Sequence, residues 1–300
     1  MTLAQVSPID PYVVLGTWTF DPLLVISLVV TGALYGIGVR RIWNAAGTGR
    51  VISRREVVAF GCGMLILAGA TISPLHAAGL ALFSAHMIQH EVLILIAAPL
   101  LILGRPLAPF LRALPGGAIQ GLMRIRHGRM WTPVERILTS LPTAWLLHFV
   151  ALWAWHVPSV FERALYSESA HVLEHVSFLG SALLFWGVLV RNARSREGSA
   201  AGVLYVFTTG IHNAVLGALL TFSSRPWYEP YALTAPLWGI TPLEDQQLGG
   251  VIMWAPGGLV YVGAALLLLA SLLRRGDERR VPVIPSPRSA SGHPGNGESR

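Results

Sequence analysis

Two pairs of histidines carry the clearest chemical signal in this chain. His86 and His90 stand four residues apart, as do His171 and His175. Residues at i and i+4 share one helix face, so each pair presents two imidazoles side by side. Imidazole ligates copper, zinc, iron and nickel, and thioether sulfur favours Cu(I). Met87 and Met253 therefore add soft donors to a set that also includes His156 and His212. Glu91, Glu174 and Asp245 are carboxylates able to orient imidazole N–H groups. Histidines on different helices can also clamp a haem iron, and a membrane histidine can simply hydrogen-bond a neighbouring helix. The pattern leaves these three uses open. His76, His127, His148 and His293 are assigned the last of them, and the single cysteine, Cys62, forms neither a Cys-Cys metal motif nor an internal disulfide.

The elements that position these side chains are read from hydropathy. The chain is 53% hydrophobic and 12% charged, with a mean hydropathy of +0.56, whereas a soluble domain is about a quarter charged. Seven apolar stretches stand out: Leu23 to Val39, Val57 to Ile72, Gly79 to Leu103, Thr143 to Trp155, His171 to Val190, Ala201 to Phe222 and Gly249 to Leu273. Crossing the hydrocarbon takes about 20 helical residues, so the second and fourth must extend into their flanks. No stretch shows the short alternation of a membrane barrel. The expected fold class is an all-α polytopic membrane bundle with about seven transmembrane helices. All 22 basic residues are arginine, which excludes a retinal protein, whose Schiff base needs a lysine. The first twenty residues lack the basic n-region of a secretory signal. GxSxG, Walker A and HExxH motifs are absent, and no nucleophile stands beside a base, so nothing argues for a hydrolase.

Arginine also sets the orientation. Twenty of the 22 fall in the loops after spans 1, 3 and 5 and in the C-terminal tail; only Arg163 and Arg225 fall on the other side. The positive-inside rule then places the N-terminus outside and the C-terminus in the cytoplasm. The net charge of +7 is thus a topology signal and not a nucleic-acid footprint. On this topology the six candidate histidines, and His76 in an outer loop, lie in the outer part of the membrane or just beyond it. Residues 1–275 form the transmembrane domain, and 276–300, rich in Pro, Ser, Gly and Arg, form a disordered cytoplasmic tail. Pro99, Pro158 and Pro256 mark kinks or helix ends, Gly249-Gly250 and Gly257-Gly258 suit close helix packing, and Trp153, Trp155, Trp227, Trp238 and Trp254 suit an interfacial aromatic belt.

Three segments together resemble a known family. They are His86-Met87-Ile88-Gln89-His90 with the run from Leu93 to Pro106; Trp153-Ala154-Trp155-His156-Val157-Pro158 with His171-Val172-Leu173-Glu174-His175 and Phe185-Trp186; and Asp245-Gln246-Gln247-Leu248-Gly249-Gly250 continuing through Met253-Trp254-Ala255-Pro256-Gly257. They are similar to the CtaG family, named for assembly of caa3-type cytochrome c oxidase, over roughly residues 20 to 275. The resemblance implies a seven-span protein of a bacterial plasma membrane that is not an enzyme. It implies copper handling at the outer face for an oxidase subunit that carries a copper centre. Carried over, the candidate ligands are His86, Met87, His90, His156, His171, His175 and His212, with Asp245, Gln246 and Met253 nearby. A b-type haem or quinone-linked redox protein, a copper transporter and a purely structural scaffold are the alternatives.

Overall fold

The computed structural model describes residues 11–126 and 131–278, and every regular element among them is helical. After a short α1 (Pro11–Gly16) come α2 (Pro22–Ala46), α3 (Arg54–Ile72) and α4 (Pro74–Ala81). Next are α5 (Phe83–Glu91), a π-helical stretch (Val92–Ala97) and α6 (Ala98–Leu103), which form one continuous rod. Then α7 (Leu107–Ala113), α8 (Gly116–Arg126) and α9 (Trp131–Leu138) lead to α10 (Leu141–Trp155), α11 (Pro158–Tyr166), α12 (Glu168–Asn192), α13 (Arg196–Thr221) and α14 (Pro242–Glu278). Six of these helical runs are long and apolar enough to cross a membrane, and seven if the bent pair α10–α11 counts as one. Their outward faces are apolar, with Leu23, Leu65, Leu259 and Leu267 each more than 70% exposed, as expected where lipid replaces water.

Local chemistry fixes the ends of the spans. Asp21 accepts the Leu24 N–H at the start of α2, and Ser53 with Glu56 forms a capping box on α3. Ser140, Ser167 and Ser195 cap α10, α12 and α13 in the same way. Two differences from the sequence reading bear on the site. The third span begins at Phe83 and not at Gly79, because Leu82 is extended and separates α4 as its own helix. The fourth is a bent helix pair: α10 has 15 residues, and at His156-Val157 the chain bends 76° into α11. Pro158 opens α11 and marks that break, as expected. α14 continues through Glu278; the tail beyond it, with His293, lies outside the described residues, as does His127.

The bundle has two distinct ends. At one, Trp43 donates to the Ile52 carbonyl, Arg41 to the Arg112 and Ala113 carbonyls, Arg191 to the Thr139 carbonyl, and Arg105 pairs with Glu56. At the other, Thr19 is bonded to Ile72, Tyr231 to Gly79 and Tyr228 to His156. We call these the arginine end and the histidine end. Each has its own apolar cluster: Tyr35, Ile52, Phe60 and Leu101 at the first, and Phe83, Met87, Phe161, Tyr228, Tyr231 and Met253 at the second. Between them lies the largest cluster, around Phe178, Phe185, Trp186, Tyr205 and Tyr261.

Helices α13 and α14 pack on small residues. A Cβ on Gly250 would lie 2.7 Å from the Gly217 carbonyl oxygen, and one on Gly249 only 2.4 Å from the Phe83 ring, so the Gly249-Gly250 step lets α14 touch α13 and α5 at once. The π stretch has an equally local cause. Ala98 N–H bonds to the Leu93 carbonyl, which leaves the Ile94 carbonyl facing Pro99, a residue with no N–H to give. The Trp186 indole donates to that carbonyl at 2.9 Å, which satisfies it and ties the rod to α12.

Candidate metal centre

The rod α5–α6 presents His86 and His90 toward α12, and α12 presents His171, Glu174 and His175 in return. Ring centroids lie 4.3 Å apart for His86 and His90, 4.4 Å for His171 and His175, and 5.3 Å for His90 and His175 across the interface. Glu174 sits between the two pairs. One carboxylate oxygen lies 3.5 Å from His86 Nε2 and 3.9 Å from His90 Nε2; the other lies 3.8 Å from His171 Nδ1. His76, on α4, closes the open side, with its ring 5.2 Å from that of His171 and 6.1 Å from that of His175.

Two three-residue groups have ligand atoms close enough for one ion each: His86, His90 and Glu174, and His76, His171 and His175. The first is fully buried. Both nitrogens of His86, both of His90 and both oxygens of Glu174 lack a hydrogen-bond partner. Leaving a buried polar group unsatisfied costs about 1–3 kcal/mol, so three side chains whose polar atoms all lack a partner, with one ligand atom of each within 4.8 Å of the others, are a costly arrangement for a structural cluster and a fitting one for a cation.

The surrounding residues hold this arrangement in place. No side chain of Leu82 caps α5; instead the two Asp245 oxygens, reaching from α14, accept the N–H groups of Phe83 and Ser84 at 2.7 and 3.0 Å. A carboxylate there satisfies orphan donors and complements the helix dipole. Gln89 donates to the Ala70 carbonyl and lies 3.2 Å from His76 Nδ1, which ties α3, α4 and α5 together beside the site. Burial, then the neighbouring His86, holds His76 below the ordinary histidine pKa, so its ring is neutral and able to ligate at neutral pH. Above the site Phe83 stacks on Tyr228 at 4.8 Å, Phe161 meets Tyr228 at 4.4 Å and His86 at 5.0 Å. Burial raises the pKa of Tyr228 and of Tyr231, so both phenols remain donors, to the carbonyls of His156 and Gly79.

The structure distributes the sequence-derived candidates unevenly. His86, His90, His171 and His175 come together. His156 lies beside them across Phe178, with Nδ1 donating to the Leu152 carbonyl at 2.6 Å and Nε2 buried and unpartnered. His212 does not join: its ring contacts are Trp145 at 5.5 Å and Phe149 at 5.0 Å. Asp245 is a helix cap. Gln246 holds the loop before α14, its amide oxygen accepting from Trp227 N–H and its nitrogen donating toward the Leu220 and Arg225 carbonyls. Met87 and Met253 pack in the aromatic cluster with Phe83, Phe161 and Leu216. Of the carboxylates expected to orient imidazoles, Glu174 faces the histidines, whereas Glu91 turns toward Gly257 and Asn213. His76, expected to be structural, stands at the rim of the cluster. Of the expected interfacial tryptophans, Trp155 donates its indole N–H to Ser177 Oγ, and Trp227 is held through its backbone N–H by Gln246.

If packing alone explains the two methionines, Met87→Leu and Met253→Leu leave the metal content of the purified protein unchanged. Each swap conserves volume and costs below about 1.5 kcal/mol. Loss of metal in either variant, by elemental analysis, would restore that sulfur to the ligand set.

A family model described as cytochrome c oxidase caa3 assembly factor (Caa3_CtaG) matches residues 33–275. An uncharacterised protein of Mycobacterium bovis is 28% identical over 281 residues, covering 89% of this chain and 41% of the relative. One of Mycobacterium leprae is 27% identical over 272 residues, covering 89% and 40%. The chain thus spans about two fifths of the length of the curated relatives it matches. No solved structure matches it significantly.

Proposed function

The chain belongs to the cytochrome c oxidase caa3 assembly factor family, and from that premise we propose that it is a non-enzymatic factor that handles copper for a haem–copper oxidase. It is a multi-pass protein of the bacterial plasma membrane. With the arginine end in the cytoplasm, the N-terminus is outside, the C-terminus inside, and the histidine end faces the outer compartment, where copper would be received and passed on.

The observation that carries this reading is the buried group of His86, His90 and Glu174, six polar atoms without a partner, flanked by His171 and His175. Its donors are imidazole and carboxylate, with the thioethers packed elsewhere. Such a set suits Cu(II) better than Cu(I). Copper is cargo here: the half-buried His76 and His175 are where ligands of a copper-carrying oxidase subunit would exchange with those of this chain. Two features favour this over the alternatives. Phe161 and Phe178 lie against His86 and His90 at 5.0 and 4.5 Å between ring centroids, so these imidazoles are packed against aromatic side chains where a haem would need its macrocycle. Toward the arginine end the interior is filled by Phe178, Ala182, Phe185 and Leu189, an apolar plug that suits one-sided delivery better than passage across the bilayer.

The test is copper and haem content of detergent-purified protein, wild type against the double variant His86→Ala, His90→Ala. Copper in the wild type, its loss in the variant and no Soret band are expected. Equal copper in both would count against the proposal, and a Soret band would turn the histidines into axial-ligand candidates.

A further inference from the structure

Six metal-binding side chains crowd the histidine end, more than one copper ion uses. They divide into two groups that share no residue. His86, His90 and Glu174 are 0%, 3% and 0% exposed, while His76 and His175 are half-buried and His171 is 9% exposed. Each group has its ligand atoms within 4.8 Å of one another. The groups touch along their whole length, His86 against His171 at 5.7 Å and His90 against His175 at 5.3 Å between ring centroids. Glu174 faces both: one oxygen points at His86 and His90, the other at His171. A carboxylate with one oxygen directed to each of two ligand sets is placed as a bridge between two cations, and paired metal sites are held about 3.5–4 Å apart by such ligands.

We infer that this chain binds two divalent ions at adjacent positions, an inner one at His86 and His90 and an outer one at His76, His171 and His175, with Glu174 bridging them. The inference rests on the copper-handling reading and deepens it. The outer position, the more accessible, loads first from solution or from a donor; the inner one, shut off by Phe161, Phe178 and the Tyr228 stack, retains its ion longer. His76 thereby becomes a ligand although it stands outside both i,i+4 pairs, and its place at the rim gives the outer ion its exchange face.

The experiment is to strip the full-length purified protein of metal, saturate it with Cu(II), remove free ion, and count bound copper per chain. The count is taken against a variant lacking His76, His86, His90 and His171, which corrects for surface binding. Two ions per wild-type chain are expected, with one remaining in His76→Gln, His171→Gln and one in His86→Gln, His90→Gln. One ion per wild-type chain would overturn the two-ion inference and leave copper handling intact. No specific copper at all would overturn both. The wild-type count needs no variant of the inner site to fold.

Discussion

Replacing Glu174 by glutamine is expected to weaken Cu(II) binding by about 100-fold or more, equivalent to about 2.8 kcal/mol, without lowering the stability of the metal-free protein. Glu174 is the carboxylate nearest to three of the five clustered histidines, it is fully buried, and neither oxygen has a hydrogen-bond partner. Residues that merely hydrogen-bond the ligands of a metal site already account for 10–100-fold in affinity, and a group proposed to contact both ions directly should exceed that. Without metal the same carboxyl is an unsatisfied buried group, so an uncharged isostere that can donate to the flanking imidazoles leaves the unfolding temperature equal or higher. The two readouts therefore move in different directions. Competition titration against a chelator gives the first and thermal unfolding in detergent the second. A fall in both would mean that Glu174 serves packing, and unchanged affinity would remove it from the site.

How far this centre could be read from the sequence follows from the geometry of single helices. The i,i+4 pairs were legible because a 3.6-residue period places them on one face whatever surrounds the helix. The same rule already counted against Met87, which is adjacent to His86 and so points about 100° away around the helix; the structure turns it to Phe83 and Gly249. The arginine asymmetry and the long apolar runs were legible because a bilayer imposes both on any bundle. His76 was not. Its approach to His171 depends on α4 being a separate helix, and the break at Leu82 is carried by an extended backbone with no proline or glycine at that residue to announce it. His212 failed in the opposite way: depth along a helix is readable, but which neighbour its face meets is not, and here it meets Trp145 and Phe149. The π stretch had a visible trace in Pro99, yet the Trp186 indole that completes it comes from 92 residues away.

Asp245 is where sequence and structure assign different roles to one residue, and the two roles predict different results. As a ligand, its loss would lower metal affinity and spare the fold. As the cap of α5, its loss leaves the N–H groups of Phe83 and Ser84 without acceptors, in a helix whose own N-cap, Leu82, supplies none. Caps contribute about 0.5–2 kcal/mol, and two buried donors left unpaired put Asp245→Ala at the upper end of that range or above it. Asp245→Asn keeps one acceptor oxygen and should fall between wild type and alanine. His86 lies only two residues beyond Ser84, so fraying of the first turn of α5 would loosen one ligand, and an affinity loss of up to about tenfold is expected with the number of bound ions unchanged at saturation. Thermal unfolding in detergent should thus rank wild type above Asp245→Asn above Asp245→Ala, while copper stoichiometry stays constant. An alanine variant as stable as wild type but short of copper would return Asp245 to the ligand set. It would also mean that α14 reaches across the bundle to the proposed metal site itself, and not merely to the helix that carries His86 and His90.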